Sequence, residues 1–478
     1  MRYLRYILLS FLTGILLTSC ATPVLYYKKL DRMVSDGNYK EAAALAKSSK
    51  QTVYGDKNNL LYFLDCGILS HLSGNYADSN LFFEKAKSTA QEYFTKSITT
   101  EASTFLINDT MRPYYGEDFE HALIHVFSAL NYISSGQEEE ALVEARQVDH
   151  FLNTLQTNYG YKNVYKEDAF ARYLAGMLYE NHDEINDAFI SYRKALDAYE
   201  AYQKSYSVAP PKQLIEDVIR TAQRLGFHDE IIEIEKKWKV PNENSKKISP
   251  SDGELVVIHY NGFSPVKVDD IFEISFGKGW AYVGQVTAKG KEAGQVKQAS
   301  AIARSISADE QIRIAFPKYV PVEYKIQNAE ITVDNLNKEF GPGELVQDIG
   351  KIAETDLQDR INRIRAKAIA RAAVRYALSK QIIQKATSNQ GKEGRNLVNL
   401  ITKAALNTIS TAIEHADTRS WRLLPDKIFM HRVILPEGIH SIQMKYYSDY
   451  RTIITTKNID NINIKAGKKT YVIVRTAL

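Results

Sequence analysis

Cysteine is almost missing from these 478 residues: Cys20 and Cys66 are the whole supply. A disulfide framework is thereby excluded, and Cys66, among Leu64, Gly67 and Ile68, reads as a buried, inert thiol on an apolar helix face. Long apolar runs are missing too, since nothing beyond residue 17 approaches the roughly 20 residues that cross a bilayer. Charge of one sign is not in excess: 61 Lys and Arg stand against 57 Asp and Glu, a formal net of +4 that includes Arg2 and Arg5. Bulk charge therefore gives no reason to expect a nucleic-acid partner.

Catalytic patterns are equally scarce. Gly277, Gly279 and Gly284 have the wrong spacing for a phosphate loop, and no Gly-Lys-Ser/Thr follows. Ser264-Pro265-Val266-Lys267 has a Ser-x-x-Lys spacing, but the proline and a strand-rich context break the helix such chemistry uses. His121 and His125 stand one turn apart near Glu117 and Glu120 without a placed third ligand, so no metal site is assigned. No nucleophile, base and orienting group converge, and the expectation is a non-enzyme with no cofactor.

What is present begins at the first residues. Arg2 and Arg5 precede an apolar stretch from Tyr6 to Leu17, followed by Leu17-Thr18-Ser19-Cys20. A basic end, a short greasy middle and small residues before a cut read as a signal peptide over 1–19. The last four residues resemble the bacterial lipobox, which implies that the chain is cut before Cys20 and that its thiol is diacylated. Ala21 in place of an aspartate favours the outer membrane, with the protein facing the periplasm.

The whole chain is 44% hydrophobic and 25% charged, as ordinary globular protein is, and the part beyond the signal is long enough for two or three domains. Over residues 20–240 one spacing recurs: a small residue, a turn residue 7 later, and further small or apolar residues at 12, 16 and 19. It is met by Gly67, Gly74, Ser79, Phe83 and Ala86, by Ala129, Gly136, Ala141, Ala145 and Val148, and by Gly176, Asp183, Ala188, Tyr192 and Ala195. Weaker copies run through Leu30, Gly37, Ala42 and Ala46 and through Ile219, Gly226 and Ile231. The pattern predicts four or five helix–turn–helix units and resembles the tetratricopeptide repeat, with insertions between units. Such units stack into a solenoid whose groove is lined by the first helix of each pair. The resemblance points His71, Phe170, Tyr173, Met177 and Asn181 toward that groove as candidates for partner binding; inter-repeat core is the competing reading.

Val240 to Gly253 is polar and proline-bounded and reads as a linker over 241–253. Strands are expected at Glu254–Tyr260, Gln311–Phe316, Tyr324–Val333, Phe429–Leu435, His440–Tyr447 and Thr470–Arg475, giving a β-sandwich-like domain over 254–478. A helical hairpin insert, about 355–416, comprises Thr355–Ala386 and Arg395–Ala416. Its first helix sets Arg360, Arg363, Lys367 and Arg371 on one face as candidates for anionic lipid or cell-wall polymer, against a solvated face as the plain alternative. The fold class is thus α+β, an all-α solenoid followed by a β-rich domain.

Longer strings carry a second resemblance. Tyr115-Gly116-Glu117-Asp118-Phe119-Glu120, Ala141-Leu142-Val143-Glu144-Ala145-Arg146, Asp168-Ala169-Phe170-Ala171-Arg172-Tyr173-Leu174, Asp417-Thr418-Arg419-Ser420-Trp421 and Leu424-Pro425 resemble a widespread bacterial family of repeat-containing lipoproteins without established activity. The functional expectation is a lipid-anchored envelope scaffold holding a partner protein in its groove, in envelope assembly, cell-wall synthesis or secretion. The alternative is a surface adhesin or glycan binder acting through the β-rich domain.

Overall fold

The computed structural model describes residues 21–100, 109–158, 165, 167–240, 249, 251–277, 280–281, 310–333, 338–388, 415–449 and 451–478. Ten helices form five consecutive pairs: α1 (Ala21–Ser35) with α2 (Tyr39–Ser48), α3 (Asn59–Leu72) with α4 (Tyr76–Thr100), α5 (Asp118–Ser134) with α6 (Glu138–Asn158), α7 (Ala169–Asn181) with α8 (Ile185–Tyr206), and α9 (Lys212–Leu225) with α10 (His228–Trp238). Each turn is built the same way. Gly37, Gly74, Gly136, Asp183 and Gly226 take positive φ, and the next residue donates its N–H five positions back, to the carbonyls of Met33, Ser70, Tyr132, Tyr179 and Ala222. That is how a helix closes on a left-handed residue, and it turns the chain sharply enough for the second helix to pack on the first. At two positions the small residue is sterically required: a Cβ on Gly67 would lie 2.4 Å from the Phe83 ring, and one on Gly176 would lie 2.3 Å from Tyr192.

The second half contains eleven strands among the described residues. In the first sheet β1 (Asp252–Asn261) runs parallel to β11 (Lys469–Thr476) and antiparallel to β8 (Lys427–Pro436), which pairs with β7 (Glu344–Asp348). A second sheet has the order β10 (Ile453–Ile464), β9 (Gly438–Tyr447), β5 (Asn328–Val333), β6 (Lys338–Phe340). A third joins β3 (Trp280–Ala281), β2 (Val266–Gly277) and β4 (Glu310–Val320). The long helix α11 (Ile349–Ser388) follows β7.

Alternation along β1 shows where the core sits. Val256, Ile258 and Tyr260 belong to one continuous apolar cluster with the repeat helices. Leu255 and Val257, pointing the other way, share a second cluster with Ile331, Val333, Ile442 and Met444 of the second sheet. The first sheet is therefore a middle layer, buried on both faces, which is why β1 reads as an unbroken apolar run rather than an alternating one.

Several expectations are corrected. Most of the expected linker lies outside the described residues, and its last two residues, Asp252 and Gly253, already belong to β1. Tyr324 precedes β5 rather than starting it, because its hydroxyl is held by Asp426 at 2.6 Å. The first insert helix begins earlier than expected, at Ile349. The second, Arg395–Ala416, lies outside the described residues except His415 and Ala416, which are not helical.

Candidate functional site

Helices α3, α5 and α7 share one continuous apolar core with the first sheet, which covers their buried side. His71, Phe170, Tyr173, Met177 and Asn181 are all buried there, so the expectation that they line an open groove is corrected. His71, Tyr173 and Asn181 bond the chain's own strands or a neighbouring repeat, and Phe170 and Met177 belong to the common apolar core. Asn131 donates its amide N–H groups to Ser79 (2.8 Å) and Asn80 (2.7 Å), which leaves its Oδ1 to accept from His71 Nδ1 at 2.6 Å. His71 Nε2 then accepts the Tyr260 hydroxyl of β1 at 3.3 Å. Burial drives the His71 pKa down to about 4, the neutral state this arrangement needs.

Beside it lies a buried ion network. Arg432 of β8 grips Glu254 of β1 through two bonds of 2.6 Å, ion-pairs with Asp217 of α9, and donates to the Tyr173 hydroxyl at 2.7 Å; that hydroxyl donates to Asp217. Lys469 of β11 reaches Glu180 of α7 at 2.8 Å, and Arg220 of α9 bonds Glu180 and Asp217, each at 2.7 Å. Burial opposes ionisation of Glu180 and Glu254, yet the adjacent cations more than offset it and hold both carboxyls below their ordinary range. Asn181 accepts the Lys469 amide at 2.7 Å, and its own carbonyl accepts Lys468 Nζ at 2.6 Å. The repeats contribute Asp217, Glu180 and Arg220, and the sheet contributes Arg432, Lys469 and Glu254, so each side neutralises the other.

The other end of the interface uses the strings quoted above. Glu117, at the start of α5, is held by Lys267 of β2 and by Arg360 of α11 at 2.5 Å. Glu120 accepts the Trp421 amide at 2.8 Å and the Tyr114 hydroxyl at 2.6 Å, while Trp421 packs on Phe83 and Phe127. Asp168 caps α7 through Ala171 and accepts Gln347 of β7 at 2.9 Å. Arg419 binds Asp417 and reaches Asn58 and the Arg112 carbonyl.

The basic face of α11 is accordingly not a free anionic contact. Arg360 is spent on Glu117 and on Asp356 at 2.8 Å, and Arg371 is buried. Lys367 is half-buried, and Arg363 alone of the four is exposed. A cavity of about 240 Å³ opens between α11, β4 and the loop before α5, where Lys267 and Arg360 already serve Glu117. Among the described residues no group of three or more His, Cys, Asp or Glu gathers to hold a metal. His121 bonds the Tyr115 carbonyl and His125 bonds Glu144. Cys20 lies outside the described residues; Cys66 is buried, its thiol pushed up to about 12 by desolvation.

Sequence reasoning missed the members that matter most: Arg432, Glu254, Lys469, Asp217 and Glu180. The available signal was Arg432 itself, a charge inside the apolar run Phe429–Leu435. It also missed an outward ridge. Leu81 on α4, Val143 on α6 and Ile190 on α8 each stand 14 residues after the small residue of their unit, and they are 52%, 48% and 42% exposed.

No family model matches the sequence and no curated protein matches it. Among solved structures the chain is similar to the apo form of RapI, at 14% identity and a TM-score of 0.33, over 45% of this chain and 68% of that one. It is similar to MamA AMB-1 at 14% identity and a TM-score of 0.28, over 47% and 93%. A Rap protein complexed with competence and sporulation factor matches at 13% identity and a TM-score of 0.30, over 46% and 54%.

Proposed function

We propose that this chain is a non-catalytic envelope scaffold, tethered to the outer membrane through lipid on Cys20 and facing the periplasm. Its repeats use their concave side to hold the chain's own β-sandwich-like domain and their outer helices to bind a partner protein. One observation carries this reading: the groove is filled, whereas Leu81, Val143 and Ile190 repeat an exposed aliphatic side chain on successive outer helices. Aliphatic side chains at matching positions of a stacked array suit a partner that buries several at once.

Photo-crosslinking amino acids at positions 81, 143 and 190, with Glu437 of the β domain as comparison, test it in cells. Capture of the same envelope protein from all three outer positions is the expected result. Capture at Glu437 alone, or of glycan there, favours the adhesin reading instead. Ile190→Asp should weaken capture roughly tenfold, about 1–2 kcal/mol. Thermal stability should hardly move, since the side chain is exposed.

A further inference from the structure

We infer that the exposed face of α1 lies against the membrane surface, with Val24 and Leu25 in the boundary between headgroups and acyl chains and Lys28, Lys29 and Arg32 against anionic headgroups. The inference rests on the proposed acylation of Cys20 and adds how the protein sits once tethered.

Rotation of α1 is fixed by what it buries. Tyr26, Tyr27, Leu30 and Val34 face the core, and the Tyr27 hydroxyl is tied to Asp65 at 2.9 Å. At 100° per residue the opposite face is then Val24, Leu25, Lys28, Lys29 and Arg32. All five are exposed, Val24 by 54% and Leu25 by 65%. Lys28, Lys29 and Arg32 form no ion pair with a described residue. The one acid within the helix, Asp31, is turned aside to Arg422 at 3.3 Å, and Asp36 follows only after the helix ends.

The order along the helix supplies the partner. A pair of exposed aliphatics is ordinary on a protein surface. These two, however, stand four and five residues after Cys20, and four residues of any conformation span at most about 14 Å. With acyl chains in the bilayer, Val24 cannot leave the neighbourhood of the headgroups, whose apolar boundary receives helices to a depth of about 5–10 Å. Lys28 and Arg32 lie roughly 6 and 12 Å further along the axis, where an anionic surface is still felt over a screening length of about 8 Å. Apolar next to the anchor and basic one and two turns beyond is the order a tethered helix needs to lie on a membrane.

The test uses the full acylated protein in phosphatidylcholine vesicles with and without phosphatidylglycerol. Leu25→Cys and, as a remote control, Ile232→Cys of α10 are labelled with an environment-sensitive fluorophore, Cys66 being buried. Emission at position 25 should shift to the blue and be quenched by spin-labelled lipid several-fold more than at position 232. Combining Lys28→Glu, Lys29→Glu and Arg32→Glu should reduce that quenching only where phosphatidylglycerol is present. Equal quenching at both positions overturns the inference. The mass of the amino-terminal peptide from the same samples reports acylation, so acylated Cys20 with an unquenched Leu25 label refutes this inference and leaves the anchor standing. If Cys20 carries no lipid the anchor reading fails, and absence of quenching on added vesicles overturns this inference too.

Discussion

Arg432 occupies a sheet position where its neighbours Met430 and Ile428 are apolar, and it survives there because Glu254 and Asp217 surround it. Replacing it with methionine keeps the volume but takes from buried Glu254 both of its short bonds, leaving it Lys469 at 3.8 Å, and leaves Asp217 to Arg220. Breaking one side of such a pair costs about 3–5 kcal/mol, so Arg432→Met should lower the free energy of unfolding by that amount and move the denaturant midpoint down in proportion, and an unchanged midpoint would show the network to be incidental. Asp65 offers a pH-dependent check. Burial pushes its pKa up to about 7 despite hydroxyl donation from Tyr54 and Tyr27, whereas an unfolded aspartate titrates near 3.9. Below about pH 4 both states are protonated and the group contributes no difference. Between about 4 and 7 the folded state keeps a proton that the unfolded chain has lost, so stability falls as pH rises. Relative to Asp65→Asn, the natural protein should lose on the order of 4 kcal/mol across that window and no more above it. A difference independent of pH would mean that Asp65 stays ionised in the fold.

At the scale of elements, the helix pairs depend on glycine where an aromatic ring crosses. Gly176→Ala should gain about 1 kcal/mol of helix propensity and lose more, since its Cβ would meet the Tyr192 ring at 2.3 Å. Net destabilisation of about 1–3 kcal/mol is expected by thermal melting, with recovery when Tyr192→Leu is added. These pairs were legible in the sequence because everything that makes them is local: a small residue, a left-handed turn, a second small residue. Strands with aromatic and β-branched cores were legible for the same reason, although β2 escaped notice. So did β10, whose outward Lys457, Asn458 and Asp460 mask it as a loop because one side faces solvent. The residues expected to line a groove are buried, and what covers them was not readable. Tyr260 meets His71 across 189 residues, and no local pattern encodes such a meeting. The polar strings around Glu117, Asp168 and Asp417 were visible as strings; their meaning as interface contacts appears only once the sheet is docked.

The whole molecule is organised around that docking. A solenoid that would elsewhere present its groove to a partner here closes on its own sheet, and the sheet, apolar on both faces, needs the solenoid as much as its second layer. The two halves should therefore unfold in a single transition, and on the proposed reading partner contacts fall on the outside of the stack while α1 lies against the membrane. The most direct test is to cut the chain between them. A protease site introduced within residues 241–248 allows cleavage of the folded protein, followed by size-exclusion chromatography without denaturant. The fragments should co-elute at the mass of the intact chain and separate only in denaturant, with Arg432→Met lowering the concentration required. If the cut fragments part in native buffer and each remains folded, the groove is open to outside partners and the account given for His71, Tyr173 and Asn181 is wrong.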